Sequence, residues 1–287
     1  LEERAGVITL VTYGEIQLGP YAEEALGAAV QLSPKQEQEA LVDVIRESAV
    51  QTRQAVFAMP LAASFISTAT LNVGPDADLG AQVRVEARKI IPASLSEVTL
   101  DWAELESSDK QSGRSVLIAA IQNAAIERLK VLMQFVGLQN SPTEIECFSA
   151  SRTVPSKGHS VIIDFGASSA KMYISNNGAL HRMHRINVGG TEVTRQFAEL
   201  EETDFEAAEL KKIQVKNDDP EYASLKGVYS KVYGRALREF KQVIGSYQST
   251  ADVEIPKIYI CGGASLHLGI LNLVQDTTGI ETQYVHP

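Results

Sequence analysis

Asp164 ends an apolar run, Val161–Ile163, and opens a turn of small residues, Phe165-Gly166-Ala167-Ser168-Ser169, that leads into a second apolar segment ending at Tyr173. A carboxylate at the mouth of such a β-hairpin can orient a hydrated metal ion. Gly166, Ala167 and Ser168 would leave their backbone N–H groups open to phosphate oxygens. The same residues also suit a plain turn in which Asp164 satisfies local N–H groups. The pattern recurs downstream, where strand-like Ile258–Cys261 runs into Gly262 and Gly263, and Ser265 stands where it could cap a helix. Gly189 and Gly190 precede a helix led by Thr191, and either permit a close backbone approach or end a strand. Glu209 and Lys212 lie three apart and share a helical face, as a ligand-binding pair or a solvated one. Two strand exits built of small residues are what a nucleotide cleft between two lobes requires. Other chemistry is thin. There is no Ser-His-Asp or Cys-His arrangement and no CxxC, and His159, His181 and His184 show no ligand spacing. His267 reads as a packed histidine, and Lys171, opposite in face to Met172, as solvent-exposed.

The elements that must carry these residues follow from periodicity. Val7–Tyr13 and Glu15–Leu18 read as strands joined at Gly14. Ser33-Pro34-Lys35-Gln36 is a capped helix start, with Leu41, Val44, Ile45 and Ala49 on one face. Ala55–Ala58 and Phe65–Leu71 read as strands. A second unit runs from Asp76 to Ile145: a helix on Leu79, Val83, Ala87 and Ile90, strands at Val98–Leu105 and Ser115–Ala120, a polar turn at Asp109–Arg114, and a helix ending at Gly137. Beyond the Val161–Tyr173 hairpin, Thr191–Leu200 and Thr203–Gln214 are helices, the latter with capping-box spacing from Thr203 to Glu206. A long helix starts at Asp219-Pro220, with Leu225, Tyr229, Val232, Ala236, Phe240, Val243 and Tyr247 on one face. Lys257–Cys261 is a strand and Ser265–Thr277 a last helix.

Composition narrows the partners. With 26 basic and 36 acidic residues the net charge is −10 over 287 residues, which argues against nucleic acid. The uncharged stretch Gln54–Pro75 contains Pro60 and many small polar residues and is no convincing membrane span. The first residues include Glu2, Glu3 and Arg4, unlike a signal peptide. Cys147 and Cys261 have no framework spacing and suggest a reduced, cytosolic protein.

One further pattern is specific. Glu86-Ala87-Arg88-Lys89-Ile90-Ile91-Pro92, followed by Glu97-Val98-Thr99-Leu100-Asp101-Trp102, resembles the signature of an extra subdomain called 1C. Together with Asn187-Val188-Gly189-Gly190, and Ala208-Glu209 ahead of Lys211 and Lys212, the motif order resembles the actin-like ATPase superfamily. Within it, the chain is similar to the PilM family of type IV pilus assembly proteins, to which the cell-division protein FtsA is the nearest relative.

The resemblance implies an α/β, actin-like two-lobed fold. Subdomain 1A would occupy residues 1–71 and 147–158, an inserted α+β (SHS2-type) 1C 72–146, 2A 159–200 and 256–287, and 2B 201–255. It implies ATP and Mg²⁺, with Asp164 holding Mg²⁺ through water, and Gly166, Ala167, Ser168, Gly189, Gly190, Glu209, Lys212, Gly262, Gly263 and Ser265 around the nucleotide. An alternative register would pair Lys211 with Ala208. The expected function is a cytosolic ATP-binding scaffold, at most a slow ATPase, peripheral at the inner membrane. It would dock the N-terminal tail of a PilN-like membrane protein in a groove of 1A and 1C. An FtsA-like adaptor or an active ATPase or phosphotransferase is the alternative. The chain departs from the pattern at Ala170 and Ala264, where relatives carry Thr and a glycine-like residue. Opening at Leu1, it also lacks a first D-x-G phosphate loop, so an N-terminal strand is expected to be missing.

Overall fold

A computed structural model describes residues 1–74, 77–105, 113–139 and 143–285. Most of the expected polar turn at Asp109–Arg114 lies outside the described residues. In chain order the elements are β1 (Glu2–Arg4), β2 (Val7–Thr9), α1 (Pro34–Glu47), β3 (Phe57–Met59), β4 (Ser64–Leu71), α2 (Leu79–Ile90), β5 (Val98–Glu104), β6 (Arg114–Gln122), α3 (Asn123–Val136), β7 (Thr143–Ile145) and α4 (Glu146–Ser151). There follow β8 (His159–Phe165), β9 (Ala170–Asn176), β10 (Ala179–Ile186), α5 (Gly190–Leu200), α6 (Phe205–Gln214), α7 (Glu221–Ala251), β11 (Lys257–Cys261), α8 (Ile270–Thr278) and β12 (Glu281–Tyr284). By internal contacts the chain divides into two units, Leu1–Phe57 with Ile126–Thr143, and Ala58–Ala125 with Glu144–Pro287.

In the first unit, α1 begins as its sequence dictates. Ser33 Oγ accepts from the Gln36 N–H, Gln36 Oε1 accepts from the Ser33 N–H at 2.9 Å, and Pro34 takes the first helical position. The chain start differs from expectation. Strands β1 and β2 form a short antiparallel hairpin about Ala5 and Gly6, both at positive φ, and no strand forms over residues 15–18. Two consecutive left-handed residues make the tight turn that hairpins favour, so the strand breaks earlier than its apolar run suggested.

Among the described residues, two sheets lie wholly within the second unit. The smaller is antiparallel, in the order β4-β6-β5, and α2 buries Leu79, Val83 and Ala87 against it. All eight residues of β4 pair with β6, from Ser64↔Ile121 to Leu71↔Arg114, so this α+β sheet begins at Ser64, ahead of residue 72.

The larger sheet has the order β10-β9-β8-β11-β12, with β8, β9 and β10 an antiparallel meander and β11 parallel to both β8 and β12. Alternation along β8 sends Val161, Ile163 and Phe165 to one face, against Val193, Phe197, Tyr233 and Phe240 of the helices. Ile162 goes to the other face, with Tyr173, Tyr259, Leu61, Ile66 and Cys147. Both faces are covered, so β8 reads as a continuous apolar run. Strand β10 was not legible in the sequence because this edge strand is studded with His181, Arg182, His184 and Arg185.

Two helix starts shift. Helix α6 is capped by Asp204, whose carboxylate accepts from the Ala207 N–H at 2.8 Å, in place of the Thr203–Glu206 box; the charged side chain one residue on is the better acceptor. The last helix does not start at Ser265. Residues Gly263–Leu266 form one short 3₁₀ turn, Gly269 sits at φ +86°, and α8 begins at Ile270.

Candidate functional site

Because β8 and β11 are adjacent parallel strands, with Asp164 opposite Cys261, they end at the same sheet edge. The two small-residue turns therefore stand beside one another on one sheet; they do not form facing walls. Gly262 takes φ +85° and ψ 157°, a conformation that side chains avoid, and a Cβ there would lie 2.4 Å from Asp164 Oδ1 and 2.5 Å from Phe165 O.

The start of α5 closes on the same place. Gly189 has extended backbone, but a Cβ on it would lie 2.4 Å from Ala167 O and 2.5 Å from Gly166 O. The Gly190 N–H donates to Gly166 O at 3.0 Å and the Thr191 N–H to Ala167 O at 2.9 Å, so the first turn of α5 clamps the Asp164 turn. A Cβ on Gly190 would in turn lie 3.6 Å from Ala264 Cβ, an ordinary contact. Three segments far apart in sequence thus meet through close backbone approach.

Of the three N–H groups assigned to phosphate, that of Gly166 is used inside the turn, by Ser169 O at 3.0 Å. Ala167 and Ser168 are exposed, and their N–H groups have no partner among the described residues. Those two remain free to receive an anion, which fits a phosphate chain at this edge. Gly263 is exposed with open space around it. Ser265 does not cap a helix: its Oγ and N–H both donate to Gly262 O, at 2.7 and 3.0 Å, and it is buried. It rigidifies the turn.

Lys171 corrects the sequence reading. It is the direct cross-strand partner of Asp164, and its side chain is only 14% exposed. Nζ donates to Asp164 Oδ2 at 3.1 Å and to Glu146 Oε2 at 2.9 Å. Burial pulls the Lys171 pKa down, but the Asp164 charge and the Glu146 hydrogen bond outweigh it and leave it raised. The alternation that sent Lys171 away from Met172 was sound. The missing information was that Asp164 lies across the hairpin and that α4 brings Glu146. Asp164, expected to hold Mg²⁺ through water, carries an ammonium on Oδ2, so a cation brought to it would meet a like charge, while Oδ1 lies close to Gly262. Among the described residues no group of three or more His, Cys, Asp or Glu could hold a metal ion.

Helix α6 lays Glu209 and Lys212 against α5, and both are buried. Lys212 Nζ donates to Glu209 Oε2 at 2.5 Å and to Thr194 Oγ1 at 2.7 Å, with Gly190 O 3.4 Å away, and Thr194 Oγ1 also bonds Glu209. Lys211 is half-exposed, 3.8 Å from Glu201, so in the alternative register the lysine faces outward. Burial drives the Lys212 pKa down, partly offset by the Glu209 hydrogen bond. Around this pair the buried Tyr229 and Tyr233 hydroxyls and His267 Nδ1 have no hydrogen-bond partner among the described residues. Burial, then the Lys212 charge, push His267 down to about 4, which makes it a neutral packed histidine. The sequence pointed to Glu209 and Lys212 by spacing alone. Thr194 and the two tyrosines carried no signal beyond helical periodicity.

The family model for the type IV pilus assembly protein PilM matches residues 12–287. Among curated proteins none matches the chain. Among solved structures the PilM-PilN type IV pilus biogenesis complex aligns with TM-score 0.74 at 20% identity, over 96% of this chain and 84% of that one. MreB5 of Spiroplasma citri bound to ADP aligns with TM-score 0.55 at 13% identity, over 91% and 74%. The fold is that of the actin-like ATPases. The family model spans nearly all of the chain, and this chain belongs to the PilM family of type IV pilus assembly proteins.

Proposed function

We propose that this chain serves type IV pilus assembly as a nucleotide-gated adaptor. ATP lies with its phosphates at the Ala167 and Ser168 N–H groups and its adenosine end toward Gly262, Glu209 and Lys212. The observation that carries this is that two glycine-dependent close approaches, at Gly189 and Gly262, converge on the Asp164 turn, whose Ala167 and Ser168 N–H groups are exposed and without a partner among the described residues. The ADP-bound MreB5 neighbour supports the same reading. The nucleotide acts as a ligand that shifts the population of conformers through its differential contacts; turnover, if it occurs, is slow. Partner capture is the output. The PilM-PilN neighbour supports a PilN-like membrane protein as that partner, its cytoplasmic tail docking as an extended peptide. No helix among the described residues is long and apolar enough to cross a membrane, in keeping with attachment through the partner.

Titrating a fluorescent ATP analogue onto the chain tests the first half. Saturable binding that unlabelled ATP competes away is expected, and its absence would retire the nucleotide reading. A synthetic PilN-like tail peptide, titrated with and without nucleotide, tests the second. Equal affinity in both conditions would remove the gating.

A further inference from the structure

Two carboxylates, Asp164 and Glu146, share one ammonium at the mouth of the turn, and three of their four oxygens accept a hydrogen bond. Asp164 Oδ2 and Glu146 Oε2 accept from Lys171 Nζ at 3.1 and 2.9 Å, and Glu146 Oε1 accepts the Leu61 N–H at 2.7 Å. Asp164 Oδ1 lies against Gly262 so closely that a Cβ there would be 2.4 Å away. The Asp164 and Glu146 side chains are 20% and 25% exposed, so the charges are substantially withdrawn from water and screened less than a surface pair. The β8–β9 register sets Asp164 and Lys171 directly opposite one another. A divalent cation brought to Asp164 would set a second positive charge beside the ammonium already on Oδ2.

We infer that Lys171 is the resident counter-ion of this turn, standing where a divalent cation would be needed on Asp164, so that the turn accepts a phosphate chain without a protein-held Mg²⁺. This rests on the nucleotide reading above. Lys171 acts through Asp164 and Glu146; it is a positioning residue. Removing its charge leaves two carboxylates facing one gap, which is the beginning of a divalent cation site. Lys171→Met should therefore acquire a metal requirement that the natural chain lacks.

The test is a fluorescent ATP analogue titrated onto the wild-type chain and onto Lys171→Met, each with Mg²⁺ or with EDTA. Wild-type dissociation constants should agree within about threefold between the two conditions, while Lys171→Met should bind about tenfold or more tightly with Mg²⁺ than with EDTA. Mn²⁺ added as a spin probe with the nucleotide should be immobilised by the variant beyond the wild-type level. Should Lys171→Met fail to fold by circular dichroism, Lys171→Gln, which removes the charge and leaves both carboxylates in place, carries the comparison. A wild-type chain that binds only with Mg²⁺, or a folded variant as indifferent to Mg²⁺ as the wild type, overturns the inference. A wild-type chain that binds in neither condition overturns the nucleotide reading itself.

Discussion

Gly189 and Gly190 are neighbours in sequence, yet the structure demands glycine at only one of them. A methyl on Gly189 would sit 2.4 Å from Ala167 O and 2.5 Å from Gly166 O, both backbone atoms with nowhere to swing. Relief requires the turn and the start of α5 to part by roughly half an ångström or more, which a close-packed interior resists. The Gly190→Gly166 and Thr191→Ala167 hydrogen bonds span that same gap, at 3.0 and 2.9 Å. Weakening both costs about 1–3 kcal/mol, and residual overpacking adds a further ~1–3 kcal/mol. Gly189→Ala should therefore lose about 3 kcal/mol. At Gly190 the nearest atom a methyl would meet is Ala264 Cβ at 3.6 Å, an ordinary contact. Gly190→Ala lies on the first turn of α5 and should be neutral or gain up to about 1 kcal/mol from helix propensity. By thermal melting followed by circular dichroism, Gly189→Ala should fall about 6–12 °C below the wild-type chain, with Gly190→Ala at or above it. The Gly189 variant should also lose binding of the fluorescent ATP analogue, because the Ala167 and Ser168 N–H groups move with the turn. If the two variants melt within about 2 °C of each other, the clamp is not what holds this turn.

A second glycine pair behaves alike. Gly262→Ala should destabilise by about 2 kcal/mol or more, from its φ of +85° and its contact with Asp164, while Gly263→Ala, in open space, should stay within ~0.5 kcal/mol; urea unfolding that ranks them equally would refute this. His267 is held near 4 against an ordinary 6.5. Between those values the unfolded chain binds a proton the folded one refuses, so stability falls as pH drops from 6.5 toward 4, by about 2 kcal/mol at pH 5. Urea midpoints at pH 7 and 5 should separate less in His267→Phe than in wild type, and an unchanged separation would contradict it. Burial pushes the Cys147 thiol up to about 12, and the side chain is fully enclosed. Ellman's reagent at pH 8 should leave Cys147 untouched until urea opens the fold; prompt labelling in the native chain would contradict its burial.

The elements with strong local signals were legible from residues alone. The box at Ser33 and Gln36, the apolar face of α7 and the alternation of β8 each report a period or a cap that neighbours in sequence decide. Strand β10 and the four-residue β12 were not, because edge strands carry polar residues and owe their existence to the sheet they join. The beginning of α8 was misplaced because a glycine at positive φ interrupts a run that is helical in pattern.

The candidate site divides along the same line. Sequence was enough to name the small-residue turns after β8 and β11, the paired glycines before α5 and the Glu209–Lys212 spacing, because backbone access and helical register are local properties. That the two turns share one edge, that a Cβ would clash at Gly189 and not at Gly190, and that Asp164 shares Lys171 with Glu146 were decided only by tertiary structure. Charge partners and close approaches are set by distance in space, and residues 146, 164, 171, 189 and 262 become neighbours only when strand pairing in the larger sheet and the placement of α4 and α5 bring them together.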